Sequence, residues 1–368
     1  MRLLPGLFAA ALTAAVASAP AALAESLAIG LAAPLTGPHA AVGEQSLRGA
    51  ERAIADINAN GGILGRKLEL VVVDDSCDPK EAVATANHLA SRGVKLVVGH
   101  FCSGVAISAS NVYADQGILL ISPGATSPLL TTRNLPLVFR VCGRDDQQGV
   151  VAGDFIARTF SGKRVAVVHD KEVATRAQAE ATRARLEQLG IKPVLTDVVT
   201  LGEKDFSSLV TKLKEAQVDL LFYGGHHVEA ALILRQLRER KMPTLVMGGD
   251  KLMTPEFWAT AGPAAEGALM VFSPDPRRNP EAAKVVAAFR ANGWDPQGYT
   301  LHTYAAYQVL AAAAAKAASV QPPALAKAIR ANRVKTVLGE IGFDANGEVN
   351  GETYTVYRWS NGAYDYAK

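Results

Sequence analysis

The feature that most limits the fold of this chain is its alternation of short Val-, Ile- and Leu-rich runs with segments of helical periodicity. Such alternation is typical of βαβ units, whose strands form a mostly parallel sheet that is buried on both faces. The pattern predicts a first series of strands at residues 27–31, 68–73, 95–98 and 118–121. It predicts a second series at residues 164–168, 194–199, 219–223 and 244–247.

The two series are of similar size, and the second begins after Arg144. They predict an α/β fold of two Rossmann-like lobes joined by a hinge. The tail is helical at residues 280–330 and alternating at 354–359, and the latter segment can add a strand to either lobe. We therefore expect one lobe at residues 25–143 and about 275–350, and the other at residues 144–274 and about 351–368.

The places where the chain would cross between these lobes are the expected hinge. They lie near residues 142–144, 273–276 and 350. No Ser/Gly-rich or charged linker separates the two series, so the lobes should touch and close over a ligand by rotation.

The first residues match an export signal. Met1 and Arg2 precede an uncharged run at residues 3–22, and the small-x-small sequence ALA follows at 22–24. This predicts removal of residues 1–24 by cleavage after Ala24, and a periplasmic mature chain. A membrane anchor is the alternative, but prolines and a glycine break the run. No later run is long and uncharged enough to span a bilayer, so we expect no membrane span in the mature chain.

Composition and motifs exclude several classes of function. The net charge of +3 is weak and scattered, which does not favour nucleic-acid binding. The chain has no GxSxG, P-loop or HExxH motif and no GxGxxG after its first strand, so an enzyme is disfavoured. No cysteine or histidine spacing typical of zinc is present, and Asp74 and Asp75 lack the register of a calcium loop. We expect no metal and no cofactor.

Candidate ligand-binding residues follow the predicted strands, because ligands of parallel sheets collect at the carboxyl ends of the strands. Gly99 and Gly224 end two such strands, where they let backbone or ligand approach closely. Ser103 precedes a predicted helix at residues 106–114, where a hydroxyl and free N–H groups favour an anion. A plain helix N-cap is the alternative interpretation of Ser103.

Charged candidates stand at the corresponding edge of the second series. Asp250 follows the strand at 244–247 and can face a cationic ligand group, or it can be an ordinary solvated loop residue. His226 and His227 are adjacent, which points their side chains in different directions and does not suit a zinc site.

Motifs in a fixed order along the chain resemble the Leu/Ile/Val-binding proteins, the periplasmic components of branched-chain amino-acid ABC importers. They are PLTGP at 34–38, ADIN at 55–58 with GGI at 61–63, DDSCDPK at 74–80, GHFCS at 99–103, ISPGAT at 121–126 and GEKDF at 202–206. The resemblance extends from Leu27 to the C-terminus. It implies the type I periplasmic binding fold and a ligand held between the lobes.

The resemblance also implies roles for particular residues. Ser103 and the N–H groups of Ser103 and Thr126 would bind the α-carboxylate of an amino acid. The Gly124 carbonyl, the Thr126 hydroxyl and Asp250 would bind its α-ammonium group, with Asp250 shorter than the more usual Glu. The aromatic rings of the family's side-chain pocket are replaced here, and the residues at those positions are Val42, Ala174 and His226, with Tyr299 as a remaining apolar wall.

The three cysteines cannot all be paired within one chain, and their number alone leaves the pairing open. Cys77 and Cys102 both lie beside strand ends of the same predicted lobe. We predict a disulfide between them, with Cys142 left reduced.

These observations favour a monomeric periplasmic binding component of an ABC importer, which binds a branched-chain or related L-amino acid and delivers it to permease subunits. A binding protein for aromatic or other organic carboxylates is an alternative, but such a ligand would leave Asp250 without a cationic partner, which is costly in a buried site. An exported small-molecule sensor is a further alternative, since the fold does not decide between transport and signalling.

Overall fold

A computed structural model describes residues 25–351 and 354–367. The predicted export signal at 1–24 and its cleavage site lie outside the described residues. The strands are β1 (Leu27–Ala33), β2 (Leu68–Asp74), β3 (Leu96–Gly99), β4 (Leu119–Ser122), β5 (Val138–Arg140), β6 (Val165–His169), β7 (Leu195–Val198), β8 (Leu220–Gly224), β9 (Leu245–Gly248), β10 (Leu269–Phe272), β11 (Val334–Thr336), β12 (Gly339–Phe343), β13 (Val349–Asn350), β14 (Thr355–Ser360) and β15 (Ala363–Tyr366). The helices are α1 (Ala40–Ala59), α2 (Ala82–Ser91), α3 (Ser103–Asp115), α4 (Asp145–Thr159), α5 (Val173–Gln188), α6 (Ser207–Glu215), α7 (His227–Glu239), α8 (Pro255–Ala261), α9 (Ala283–Ala291), α10 (Thr300–Ala317) and α11 (Pro322–Ala331).

The first sheet has the order β2-β1-β3-β4-β5, and its paired strands are parallel. The second sheet has the order β15-β14-β10-β9-β8-β6-β7, in which β10, β9, β8, β6 and β7 are parallel. The predicted strands of both series are present, with ends displaced by at most two residues. The βα alternation therefore predicted the two parallel sheets correctly, because buried parallel strands need continuous apolar runs.

Two short strands of the parallel sheets are missing from the predicted set. Strand β5 has three residues, and β10 has four. Both are fully buried, but runs this short do not differ in pattern from buried helix segments.

The tail of the chain contributes to both halves of the molecule. Apolar residues of α10 and α11, such as Leu301, Leu310 and Ile329, pack in one cluster with Ile29 and Ile121 of the first sheet. Strand β14 pairs antiparallel with β10, and so joins the second sheet. The chain thus passes between the two halves after β5, after β10 and after β13, which forms a small antiparallel sheet with β11 and β12. The exact domain boundaries and the hinge rotation stay predictions.

At the two predicted edge glycines, Gly99 and Gly224, the group that approaches closely is protein backbone. A Cβ at Gly99, where φ is +141°, would lie 2.3 Å from the Ala32 carbonyl oxygen. One at Gly224 would lie 2.3 Å from the Thr175 carbonyl oxygen. Each sheet therefore needs glycine at this edge to pack against a neighbouring segment. Within the described part of the chain, none of the helices has the length and apolar character required to cross a bilayer.

Candidate ligand-binding site

The disulfide that links Cys77 and Cys102 shapes the approach to the site, as predicted. Their Cα atoms are 5.5 Å apart, and the bond ties the loop after β2 to the start of α3. Cys142 lies outside this bond and is buried. Because Ser103 directly follows Cys102, the disulfide also restrains the position of the Ser103 hydroxyl.

A buried polar network supports the same loop from behind. The Asp75 carboxylate contacts His100 Nδ1 at 2.6 Å, and His100 Nε2 contacts the Tyr113 hydroxyl at 2.9 Å. Asp75 also accepts a hydrogen bond from the Cys77 N–H at 2.9 Å. These carboxylate oxygens are engaged by protein groups, and no cluster of three or more potential metal ligands occurs among the residues that the structure describes.

We call Ser103, Gly124 and Thr126 the first-sheet wall, because they follow β3 and β4. All three are buried. Ser103 is the first residue of α3 and Cys102 is the N-cap, without a side-chain cap, so the N-cap interpretation of Ser103 is wrong. Its Oγ accepts a hydrogen bond from the Ser127 N–H at 3.1 Å. This bond holds the loop after β4 against the start of α3.

The Phe101 ring lies between Gly124 and Tyr299. A Cβ at Gly124 would be only 2.4 Å from that ring, so glycine permits the contact. The rings of Phe101 and Tyr299 have centroids 5.0 Å apart and meet edge to face. Val42 packs in the same apolar cluster. The structure therefore brings Gly124 and Tyr299 together around Phe101, a residue that was not among the predicted site residues.

Asp250 lies at the carboxyl end of β9 and is 3% exposed, so its interpretation as a solvated loop residue is wrong. Tyr299 donates its hydroxyl hydrogen to Asp250 Oδ2 at 2.6 Å. Gln148 donates from Nε2 to Asp250 Oδ1 at 3.1 Å. Burial, followed by the Asp250 charge, raises the pKa of Tyr299 well above its usual value, so the hydroxyl keeps its proton and remains a donor.

The expectation that Asp250 lacks a cationic partner without a ligand amine is also wrong. Lys251 Nζ lies 2.8 Å from Asp250 Oδ2 and is buried with it. The same Nζ lies 4.4 Å from the Phe101 ring centroid and 5.7 Å from that of Tyr299. The next residue along the chain therefore supplies the positive charge that was expected from the ligand.

Two further carboxylates complete what we call the Lys251 cluster, which consists of Lys251, Asp250, Asp145 and Glu172. Burial by itself lowers the pKa of Lys251, but the three carboxylates outweigh it, and the net shift is upward. Burial and the nearby Asp250 raise the pKa of Asp145 well above its usual value, against the effect of Lys251. Burial likewise raises the pKa of Glu172. The cluster thus holds more carboxylates than cations.

One oxygen of the cluster and one next to it are buried without a hydrogen bond of ordinary geometry to the described residues. They are Asp145 Oδ2 and Thr126 Oγ1. The two residues are neighbours, because the Asp145 N–H donates to the Thr126 carbonyl oxygen at 3.0 Å. The Thr126 side chain acts to lower the pKa of Asp145, so the two side chains lie close enough to interact with each other.

The remaining predicted residues, His226 and Ala174, also lie close to members of the cluster. The rings of His226 and His39 are 4.1 Å apart, a contact between segments that follow β8 and β1. Burial and the neighbouring His227 lower the pKa of His39 to about 4, and burial and His39 lower the pKa of His226. Ala174 is buried at the start of α5, and its N–H donates to Glu172 at 2.9 Å.

Lys251, Asp145, Glu172 and Phe101 were missed from sequence. A usable signal existed for two of them. Lys251 directly follows Asp250, and Glu172 follows β6 at the same carboxyl edge that marked Asp250. No sequence signal placed Asp145 here, because it starts a helix after a crossing between the sheets.

Comparisons with known proteins agree with this architecture. A family model described as periplasmic binding protein matches residues 26–363. The chain is 46% identical to a Leu/Ile/Val-binding protein homolog 1 of Brucella melitensis over 97% of this chain and 96% of that protein. It is 46% identical to an amino acid binding protein of Pseudomonas aeruginosa over 90% and 89% of the two chains. The leucine binding protein LivK of Thermotoga maritima superposes with a TM-score of 0.87 at 26% identity, covering 93% and 98% of the two chains.

Proposed function

The chain belongs to the periplasmic binding protein family, and from that premise we propose that it binds a branched-chain or related L-amino acid between its two sheets for an ABC importer. The observation that carries the proposal is the buried Asp250 carboxylate, which accepts a hydrogen bond from the Tyr299 hydroxyl and pairs with the Lys251 ammonium group beside the Phe101 ring. A carboxylate beside an apolar aromatic wall suits a ligand with an ammonium group and an apolar side chain.

The proposal includes the route of the ligand. After export and loss of residues 1–24, the mature chain collects its ligand in the periplasm as a monomer and passes it unchanged to permease subunits. The family's role as substrate-binding transport proteins supports this route, and binding without chemical conversion makes the chain no enzyme. Solved structures of similar ABC-transporter substrate-binding proteins in complex with isoleucine and with leucine support the ligand class.

One observation favours a second candidate, an aromatic or other organic carboxylate as the ligand. Because Lys251 already pairs with Asp250, the site does not need a cationic ligand group to neutralise that carboxylate. Such a ligand would use the Ser103 hydroxyl and the N-terminus of α3 alone.

A thermal-shift screen tests the proposal. A ligand that binds the native state raises the melting temperature by mass action. We expect L-leucine, L-isoleucine or L-valine to raise it and aromatic acids to leave it unchanged. Small-angle scattering with the best ligand should show a smaller radius of gyration than without it, since closure compacts the lobes. A shift with aromatic acids alone would favour the second candidate.

A further inference from the structure

The Lys251 ammonium group occupies a cage built from both halves of the molecule. Its Nζ contacts Asp250 at 2.8 Å after β9, and it lies 4.4 Å from the Phe101 ring centroid after β3. Tyr299 closes a third side, with its ring centroid at 5.7 Å. A carboxylate and aromatic faces around a cation form the environment in which proteins hold organic ammonium groups.

This cage coincides with the subsite expected for the ligand ammonium. Asp250 and Gly124 were the groups expected to hold it, and the Phe101 ring that Lys251 contacts lies directly against Gly124. An ammonium group that reaches both Asp250 and the Gly124 carbonyl must therefore use the space beside this ring. Lys251 Nζ and a ligand ammonium compete for the same carboxylate oxygens.

We propose that Lys251 is a tethered competitor of the ligand, whose ammonium group fills the cation cage of the ligand-free cleft and is displaced by the ammonium group of an amino acid. The inference rests on the proposed function and deepens it, because it assigns to Lys251 the choice between amine-bearing and amine-free ligands. Nothing in the family resemblance gave this residue a role.

The charges of the Lys251 cluster fit such an exchange. When a zwitterion replaces Lys251 in the cage, Asp250 trades one ammonium partner for another and is never buried without a cation. A carboxylate ligand without an amine leaves Lys251 where it is. The exchange also releases the Lys251 side chain, which is 4% exposed, from a fully desolvated position.

Removal of the Lys251 charge is the direct test. Lys251→Met keeps a flexible apolar side chain but cannot compete for Asp250. The apparent affinity of a site that is open only part of the time is reduced by that fraction. We therefore expect Lys251→Met to bind L-leucine about tenfold more tightly than the parent, measured by calorimetry. Lys316→Met on the exposed face of α10 is the matched control and should bind like the parent.

A second ligand separates competition from general effects. Isocaproate is leucine without its ammonium group, and Lys251→Met should bind it no more tightly than the parent does. Tighter binding of both ligands would mean that the substitution merely enlarges the cleft, and it would overturn the proposal. Unchanged or weaker binding of L-leucine would overturn it as well.

A third variant keeps the test decisive if Lys251→Met folds poorly. Lys251→Gln retains a hydrogen-bond donor for Asp250 and lacks the charge, and it should also tighten L-leucine binding. If the parent binds leucine and neither variant binds it better, the inference alone fails. If neither the parent nor the variants bind any amino acid, the proposed function fails and the inference falls with it.

Discussion

The first-sheet wall and the Lys251 cluster are both largely buried and polar, but they are built in opposite ways. The wall is neutral and local, since Ser103 at the start of α3 accepts a hydrogen bond of 3.1 Å from the N–H of Ser127, in the loop after β4 of the same sheet. The cluster is charged, and its contacts join segments from both sheets. The wall therefore depends on contacts within one sheet, whereas the cluster depends on contacts between the two sheets.

This difference assigns different energetic roles to the two regions. Backbone N–H groups at a helix N-terminus hold an anion without a full charge, so the loss of one hydroxyl is partly compensated. The loss of one ion from a buried pair is not compensated in this way, because the other ion stays desolvated and unpaired. Substitutions in the Lys251 cluster should therefore change affinity more than substitutions in the first-sheet wall.

The largest expected effect comes from Asp250→Asn, which keeps the shape of the side chain and removes its charge. Loss of a charge-assisted pair in a closed cleft typically costs about 2 to 5 kcal/mol, which is roughly 30-fold or more in affinity. Calorimetry with L-leucine measures this loss. Asp115→Asn, at the exposed end of α3, is the matched control and should not alter binding. A change in affinity of less than about twofold for Asp250→Asn would mean that the ligand's main contacts lie in the first-sheet wall, and it would favour an amine-free ligand.

An intermediate effect is expected from pH, through the histidines that meet across the sheets. Burial lowers the pKa of His39 to about 4, whereas a histidine that opening exposes to solvent would have a pKa of about 6.5. The open form therefore binds more protons, and closure weakens as the pH falls from about 6.5 towards 4. For His39 alone this predicts about tenfold weaker L-leucine binding at pH of about 5.5 than at about 7.5.

The groups around His39 modify this pH dependence. His227 and Lys251 lower the pKa of His39 further, and Asp75 raises it. His226 and His227 are buried near His39, and burial lowers their pKa values as well. Asp145 and Glu172 have raised pKa values, so closure takes up protons there and their effect has the opposite sign. His39→Gln isolates the histidine contribution, because it should flatten the decline in affinity on the acid side. An identical pH profile in this variant would place the pH dependence in the Lys251 cluster.

The smallest expected effect comes from Ser103→Ala in the first-sheet wall. The Ser127 N–H loses its acceptor, but the N-terminus of α3 remains to hold the ligand carboxylate. One neutral hydrogen bond contributes about 1 kcal/mol, so we expect about fivefold weaker L-leucine binding in calorimetry. Ser108→Ala on the same helix removes a hydroxyl that donates to the Gly104 carbonyl oxygen, and this variant should bind like the parent. A loss at Ser103 greater than that at Asp250 would reverse the ranking of the two regions.

The sequence was informative where structure depends on neighbours along the chain. Apolar runs predicted the parallel strands of both sheets, because a buried strand must be apolar throughout its length. The rule that ligands meet the carboxyl ends of strands singled out Ser103 and Asp250, which are both buried. The pairing of Cys77 with Cys102 followed from their positions beside strand ends of one sheet.

The tertiary structure alone decided how distant side chains pair. Strand β14 joined the second sheet, although its alternating pattern suited either lobe, because register and partner are set by the packing of β10. The partner of Asp250 was decided in the same way. A lysine side chain has several rotatable bonds and can reach solvent or the interior from the same backbone position. Only the meeting of Phe101, Tyr299 and three carboxylates around one point makes the interior the favourable place for Lys251, and no local pattern carries that information.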